Sequence, residues 1–240
     1  MSSRPRLRLF CLPFAGGSAS SFLSWNHLPN VGIEVWPVHL PGHGVWKDEP
    51  LVNDIWQVVD LLAPAVSQQI EDLPYAFYGH SMGALVAFEL ACNLERRGER
   101  LPDALVLSAC PPPPNLSQYY RSHTEGELLN KILKGGGFPS EITEDPDALE
   151  YFLPSLINDI TLLKSYIWPT QRKPANVPFF LHGGLQDVIA PLVGLSAWRE
   201  HTNSSVTLTA FPGGHFFFYH QAEAIQQQIA AGVRMTLSGK

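Results

Sequence analysis

The stretch Tyr75–Leu90, YAFYGHSMGALVAFEL, decides the fold. A β-rich run, Tyr75–Tyr78, meets Gly79-His80-Ser81-Met82-Gly83, and an apolar helical pattern follows without a break. This is G-x-S-x-G in the setting of strand, tight turn and helix. The glycines two before and two after the serine are what a strained turn needs where a Cβ would clash. A helix starting directly behind Ser81 also points the partial positive charge of its N-terminus at the hydroxyl. The stretch predicts a nucleophilic serine, against the alternative of a buried turn serine.

Outward from it, short β-branched and aromatic runs alternate with longer helical patterns. Arg6–Leu12, Ile33–His39, Tyr75–Gly79, Ala104–Ala109, Val177–His182 and Ser205–Phe211 read as strands. Several are near-continuous apolar runs, as expected of parallel strands covered on both faces. Helices are expected over Asn53–Ile70, Met82–Arg97, Leu192–His201 and Tyr219–Leu237. Repeated β-α units argue for a doubly wound, mostly parallel α/β sheet. A chain of 240 residues fits one such domain, 1–240.

The rhythm breaks after Ala109. CPPPPNLSQYY follows, and the next strand signal comes only near Val177, too long an interval for a plain loop. Leu128, Leu129, Ile132 and Leu133 share a helical face. Leu149, Phe152, Leu153, Leu156, Ile157, Ile160 and Leu163 fall at helical spacing, with Pro154 expected to start a second helix. KGGGFP between these blocks reads as a hinge or turn. The interval of about 111–172 is expected to be an inserted helical lid, the alternative being a further core layer without a gating role.

A serine hydroxyl needs a base to take its proton. His215, in FPGGHFFFYH, follows the last strand and precedes the last helix, on a loop whose glycines let it reach over the sheet. His80 adjoins Ser81, but neighbours on a tight turn point apart. His39 and His43 flank a Pro-Gly that denies them a shared helical face, so a metal pair is not expected. His182 lies near the end of its own strand, and His27, His123, His201 and His220 have no partner motif. The carboxylate that would hold the imidazole is expected to be Asp187, on a Gly-containing loop after a strand. The order Ser81, Asp187, His215 is that of α/β-hydrolases. Asp159 is the runner-up, but in the expected lid it would be poorly anchored. Asp103 precedes a strand, at the wrong end of the sheet.

The loop PFAGG after the first strand admits two readings, a phosphate cradle or half of an oxyanion hole. FAGGSASS is neither G-x-G-x-x-G nor G-x-x-x-x-G-K-[ST], and no lysine lies near it, which disfavours a nucleotide. As an oxyanion hole, one donor is the N–H of Met82, the residue after the nucleophile. The second is expected from Ala15, with Phe14 as runner-up, because Pro13 has no N–H.

Bulk properties exclude other classes. The net charge is −6 and only 16 Lys and Arg are spread along the chain, so no electrostatic footprint for nucleic acid or an anionic bilayer exists. The basic opening MSSRPRLRLF lacks a signal peptide's longer apolar region, and no stretch reaches a membrane span. Cys11, Cys92 and Cys110 are odd in number and set in apolar surroundings, which favours buried free thiols in a reducing cytoplasm. A cytoplasmic location, no membrane and no metal are expected.

Together these motifs resemble the type II thioesterases, stand-alone editing hydrolases of non-ribosomal peptide and polyketide assembly lines. LFCLPFAGGSASSF looks like their opening strand and loop, VHLPGHG like their second strand with its Pro-Gly turn, and YGHSMGALVAFELA and FPGGHFFF like their serine and histidine motifs. FLPSLINDITLLKSY is similar to a lid segment that usually reads Leu-Pro, an acidic residue and a tyrosine. Here Asp159 is followed by Ile160 where the family commonly has Tyr. The resemblance implies hydrolysis of acyl or aminoacyl groups from the phosphopantetheine thiol of a carrier protein, with the arm entering beneath the lid. It implies no cofactor, and a monomer is expected. Two alternatives stand beside it: an esterase of free small esters using the same triad, and a silent scaffold that only binds a carrier domain.

Overall fold

The structure, a computed structural model, describes residues 6–27, 32–70, 72–134, 140–169 and 171–238. Segment 135–139, within the expected hinge, and residues 1–5 of the basic opening lie outside them.

Six strands form one parallel sheet in the order β2-β1-β3-β4-β5-β6. They are β1 (Leu7–Leu12), β2 (Ile33–Pro37), β3 (Tyr75–His80), β4 (Ala104–Ser108), β5 (Phe179–Gly184) and β6 (Val206–Phe211). Strands β1, β3, β4 and β5 are buried throughout, which is why their sequences read as apolar runs without alternation. β6 closes the edge and is largely open to solvent. β5 begins two residues later than the sequence pattern suggests, because Pro178 has no N–H for the ladder; its carbonyl still accepts from Leu105 N–H at 3.0 Å.

Helices cover the faces. In α1 (Ile55–Ser67), Ile55, Val58, Val59, Leu62 and Val66 form one buried stripe, and Asp54 caps the first turn through the N–H groups of Trp56 and Gln57. α2 (Met82–Arg96) is buried from Met82 to Leu94, and Gly98, at φ 67°, ends it. Between β4 and β5 the chain forms α3 (Pro113–Arg121), α4 (Glu125–Lys134), α5 (Ser140–Thr143) and α6 (Pro146–Ser165), which pack on one another and, through α6, on α1.

α6 corrects one expectation. It runs as a single helix through Pro154, where a second helix was expected to start. The proline leaves the carbonyl of Glu150 without its helical donor, but Glu150 is exposed, so water can take that place. The buried stripe Leu156, Ile160 and Leu163 holds the helix together against its neighbours. The pattern over Leu192–His201 becomes one turn of α7 (Leu192–Leu195) and a 3-10 segment to His201, with Trp198 fully buried and its indole N–H on the Cys110 carbonyl at 2.8 Å. The last pattern divides at Gln221 into α8 (Phe217–His220) and α9 (Ala222–Ser238).

β1 connects outward to β2, then the chain crosses back to β3 on the other side of β1. The carboxyl ends of β1 and β3 are therefore a topological switch point, where parallel sheets open a crevice. The PFAGG loop leaves one strand there and Ser81 leaves the other.

Candidate active site

Ser81 sits between β3 and α2 at φ 54° and ψ −119°, a conformation that L-residues avoid. The flanking glycines make it attainable. A Cβ on Gly79 would lie 2.1 Å from the carbonyl oxygen of Gly83, and one on Gly83 would lie 2.2 Å from that of Leu12 and 2.6 Å from that of Pro13. Glycine at position 83 thus lets the end of β1 lie directly against the first turn of α2. The elbow is pinned by Ser81 N–H on the Ser108 carbonyl at 2.8 Å and Ala84 N–H on the Ser81 carbonyl at 2.9 Å.

The same contact brings the PFAGG loop beside the helix start. Gly17 N–H closes a turn on the Phe14 carbonyl at 2.9 Å, and Gly16 N–H donates to Asp159 Oδ2 at 2.7 Å. The N–H groups of Ala15 and Met82 have no acceptor among the described residues. Pro13 has no N–H, and those of Gly16 and Gly17 are committed to Asp159 and to the Phe14 carbonyl.

Asp187 and His215 come together because the loops after β5 and β6 are zipped. Leu185 N–H bonds the Phe211 carbonyl and Gln186 N–H the Gly213 carbonyl, both at 2.9 Å, while Gln186 Oε1 accepts from Gly213 N–H at 2.8 Å. Gly184 permits this approach: its Cβ would fall 2.5 Å from the carbonyl oxygen of Gly214. His215 Nδ1 then lies 2.9 Å from Asp187 Oδ2, with both side chains buried. Asp187 Oδ1 accepts from the N–H groups of Ile189 and Ala190 at 2.8 and 2.9 Å. Burial pushes the Asp187 carboxyl up, but the bond and charge of His215, with the two backbone donors, outweigh it and hold it below the usual range. An ionised Asp187 can only accept, so Nδ1 carries the proton and Nε2 is the basic nitrogen of His215.

Ser81 and Met82 line a cavity of about 250 Å³ together with Ile189 and Ala190, the two residues that clasp Asp187. Its roof is mostly apolar: Leu116, Tyr119 and Tyr120, with the polar Asn115, from α3 and Leu163 from α6. Ala109, at φ 50°, also lines it. Of the non-glycine residues described, Ala109 and Ser81 are the two with positive φ, and they end adjacent strands at one cavity.

The other histidines fall elsewhere. His80 points beneath the site, its Nδ1 3.0 Å from Ser108 Oγ and its ring 4.5 Å from that of Phe218; burial and the nearby His215 lower it well below the ordinary histidine range. His182 bonds Gln228 Oε1 at 2.6 Å, and burial pushes it down to about 4. Asp103 is at the opposite end of the sheet, before β4, where it accepts from Tyr75 N–H. The three cysteines are free and buried, and burial pushes Cys92 and Cys110 up to about 12. Among the described residues no cluster suited to a metal ion occurs, and no helix is long and apolar enough to cross a membrane.

Asp159 departs from expectation. It is not loosely held on the insertion but only 1% exposed, bonded to Gly16 N–H and to His43 Nε2 at 2.9 Å. A second ionic cluster also lacked a sequence signal: Glu89, fully buried in α2, accepts from Tyr166 Oη at 2.5 Å and from Arg172. Its one trace was a glutamate inside an otherwise apolar helix.

Comparison with known proteins places this geometry in a family. The family description "Thioesterase domain" matches residues 7–232. The chain is 31% identical over 242 residues to the gramicidin S biosynthesis protein GrsT of Aneurinibacillus migulanus, covering 100% of this chain and 94% of that one. It superposes on RedJ, a thioesterase from the prodiginine biosynthetic pathway in Streptomyces coelicolor, with a TM-score of 0.82 and 30% identity over 97% of this chain and 91% of that one. It superposes on BorB, the type II thioesterase of the borrelidin biosynthetic cluster, with a TM-score of 0.81 and 30% identity over 96% and 95% of the two chains. The chain belongs to the thioesterase family, has the fold of the α/β-hydrolases, and is a thioester hydrolase of the type II kind that serves non-ribosomal peptide and polyketide pathways.

Proposed function

We propose that this chain hydrolyses acyl or aminoacyl thioesters carried on the phosphopantetheine arm of a carrier protein, with Ser81 as nucleophile, His215 as general base and acid, and Asp187 as the carboxylate that orients His215. Ser81 Oγ attacks the thioester carbonyl as His215 Nε2 takes its proton. The tetrahedral intermediate collapses, the C–S bond breaks, and His215 returns the proton to the departing thiolate. Water then attacks the acyl-enzyme with His215 again as base, releasing the acid and restoring Ser81. The oxyanion of both intermediates is met by the N–H groups of Met82 and Ala15, with Phe14 the runner-up for the second. Each such donor contributes roughly 10²–10³ in kcat.

The observation that carries this reading is the strained Ser81 lining the same cavity as Ile189 and Ala190, whose N–H groups hold the His215-bonded Asp187. Strain of this kind persists where it serves a site. The inserted helices α3–α6 act as a lid over the acyl group. A cavity of about 250 Å³ falls below the roughly 300–1,000 Å³ of pockets for larger ligands, which supports a short acyl chain.

Treatment with a serine-directed phosphonate, followed by mass spectrometry, tests the nucleophile: an adduct on Ser81 is expected, and its absence overturns the enzyme mechanism. Turnover of an acyl-carrier thioester against the same acyl group on a small free thiol tests the partner. A large preference for the carrier is expected; equal efficiency would leave a hydrolase of free esters and thioesters.

A further inference from the structure

Three segments far apart in sequence meet on one side of the PFAGG loop. Gly16 N–H and His43 Nε2 both address Asp159 Oδ2, at 2.7 and 2.9 Å, and His43 Nδ1 lies 2.8 Å from the Pro41 carbonyl. Asp159 and His43 are 1% and 4% exposed. Asn158 Nδ2 adds a longer contact to Asp159 Oδ1 at 3.4 Å and ties the same helix to the Val52 carbonyl at 2.9 Å.

We propose that Asp159 is a positioning residue for the oxyanion loop, held in place by a doubly protonated His43, so that helix α6 and the loop bearing Ala15 form one mechanical unit. This rests on the reading of Ala15 N–H as an oxyanion donor. The turn closed by Gly17 N–H on Phe14 has Gly16 as its third residue at φ 75°, the positive φ that a type II turn requires there. Types I and II differ by a flip of the central peptide, here Ala15–Gly16, and glycine tolerates either sign of φ. Asp159 accepts the N–H of that peptide and so selects one of the two. Ala15, whose own N–H faces the reaction, is fixed by the bond its following peptide makes to α6.

The protonation of His43 follows from its partners. A carbonyl oxygen can only accept, and so can an ionised carboxylate. Both ring nitrogens face such acceptors, so the ring keeps both bonds only as imidazolium. Burial pushes His43 down, but the bond and charge of Asp159 outweigh it and raise it above the ordinary value. Asp159 is the charged group that α6 turns towards it. On its own loop, His39 stacks on Trp46, Lys47 lies over the Tyr151 ring, and Asp48 and Glu49 are exposed. The stretch Pro13–Asn26 carries no ionisable side chain. Because its folded value is raised, His43 holds both bonds at low and neutral pH, and loses one of them together with its positive charge beside Asp159 as the pH rises through that value. Loss of the proton removes the charge that faces Asp159 and one of the two bonds that fix His43, and so loosens the hold on the oxyanion loop. The unit also couples movement of α6 to the hole: a displaced helix takes the acceptor of Gly16 with it.

The test compares kcat and KM for a small acyl thioester across pH in the wild type and in Asp159→Ala, His43→Gln, His43→Arg and Ser81→Ala. Asp159→Ala is expected to lose roughly 10²-fold in kcat, the scale of one oxyanion donor, with KM changed less than about threefold. Normalised to its own maximum, the wild type is expected to fall at alkaline pH, whereas His43→Arg, which keeps its charge, stays flat and His43→Gln loses activity at every pH. Wild-type kcat in Asp159→Ala, or the same alkaline fall in His43→Arg as in the wild type, overturns the proposal. Should Asp159→Ala fail to fold by circular dichroism, the pair of His43 profiles decides alone. Activity in Ser81→Ala would instead overturn the mechanism on which the proposal rests.

Discussion

Replacing Asp187 by asparagine isolates what one proton's position contributes to the reaction. The side chain keeps its shape, and its amide oxygen can still accept from Ile189 and Ala190, as Oδ1 does at 2.8 and 2.9 Å. The amide nitrogen then faces His215 Nδ1, where Oδ2 sat at 2.9 Å. Two donors cannot share that bond, so the imidazole shifts its proton to Nε2 and presents Nδ1 to the amide. The nitrogen meant to receive the Ser81 proton then already carries one. In a serine triad this change lowers kcat by about 10⁴, or roughly 5.4 kcal/mol of transition-state stabilisation. Ser81→Ala and His215→Ala remove the reacting atoms themselves and are expected to lose about 10⁶. The assay is steady-state hydrolysis of an acyl thioester read by thiol release, with melting temperature measured in parallel. The reasoning is refuted if Asp187→Asn retains more than about a tenth of wild-type kcat while folded, because Asp187 would then not set the tautomer.

Three other predictions come from the same geometry. Gly83→Ala places a methyl 2.2 and 2.6 Å from two backbone carbonyl oxygens that have no rotamer to escape by; destabilisation of about 3 kcal/mol or more and loss of turnover are expected in thermal melts and kinetics, and a folded, active variant would contradict the close packing of β1 on α2. Tyr120→Ala opens the cavity roof, and the preference for a longer acyl chain is expected to rise by about fourfold per methylene accommodated, measured as ratios of kcat/KM over a chain-length series. The Asp187 carboxyl is held below its usual range in the folded chain, so its contribution to stability is present above about pH 4 and disappears as the pH falls through the lower folded value. Denaturant titrations between pH 5 and 3 are expected to show a shallower acid loss for Asp187→Asn than for the wild type, and parallel curves would count against the bond.

What could be read in advance was whatever the backbone demands of adjacent residues. The elbow at Ser81 needs glycine at 79 and 83, and both needs are visible within five residues because the constraint is local steric exclusion. The alternation of strands and helices ordered Ser81, Asp187 and His215 along the sheet, since each follows a parallel strand and parallel strands deliver their loops to one end. Pro154 misled because its local penalty was set against nothing; the buried stripe of α6 and an exposed carbonyl at Glu150 outweigh it only in the folded protein. The firm anchoring of Asp159 leaves no local trace for a related reason. Its two partners lie 143 and 116 residues away, and no periodicity links a carboxylate on a helix to a loop that far back. The cluster of Glu89, Tyr166 and Arg172 was hidden likewise, because Glu89 lies in α2 and its two partners lie 77 and 83 residues further on, in the connection between α6 and β5.

The zipped loops after β5 and β6 carry a consequence for how the enzyme fails. Asp187 and His215 depend on β6, an outer strand with one neighbour, β5, and a mostly solvated surface, whereas Ser81 hangs from β3 near the middle of the sheet. Edge elements open at lower free energy than central ones. Amide exchange along Val206–Phe211 should accordingly outpace that along Tyr75–His80, and mild heat or denaturant should displace His215 and Asp187 together while the strand that carries Ser81 stays folded. Loss of activity is then reversible fraying of one margin of the sheet, and it precedes the global transition.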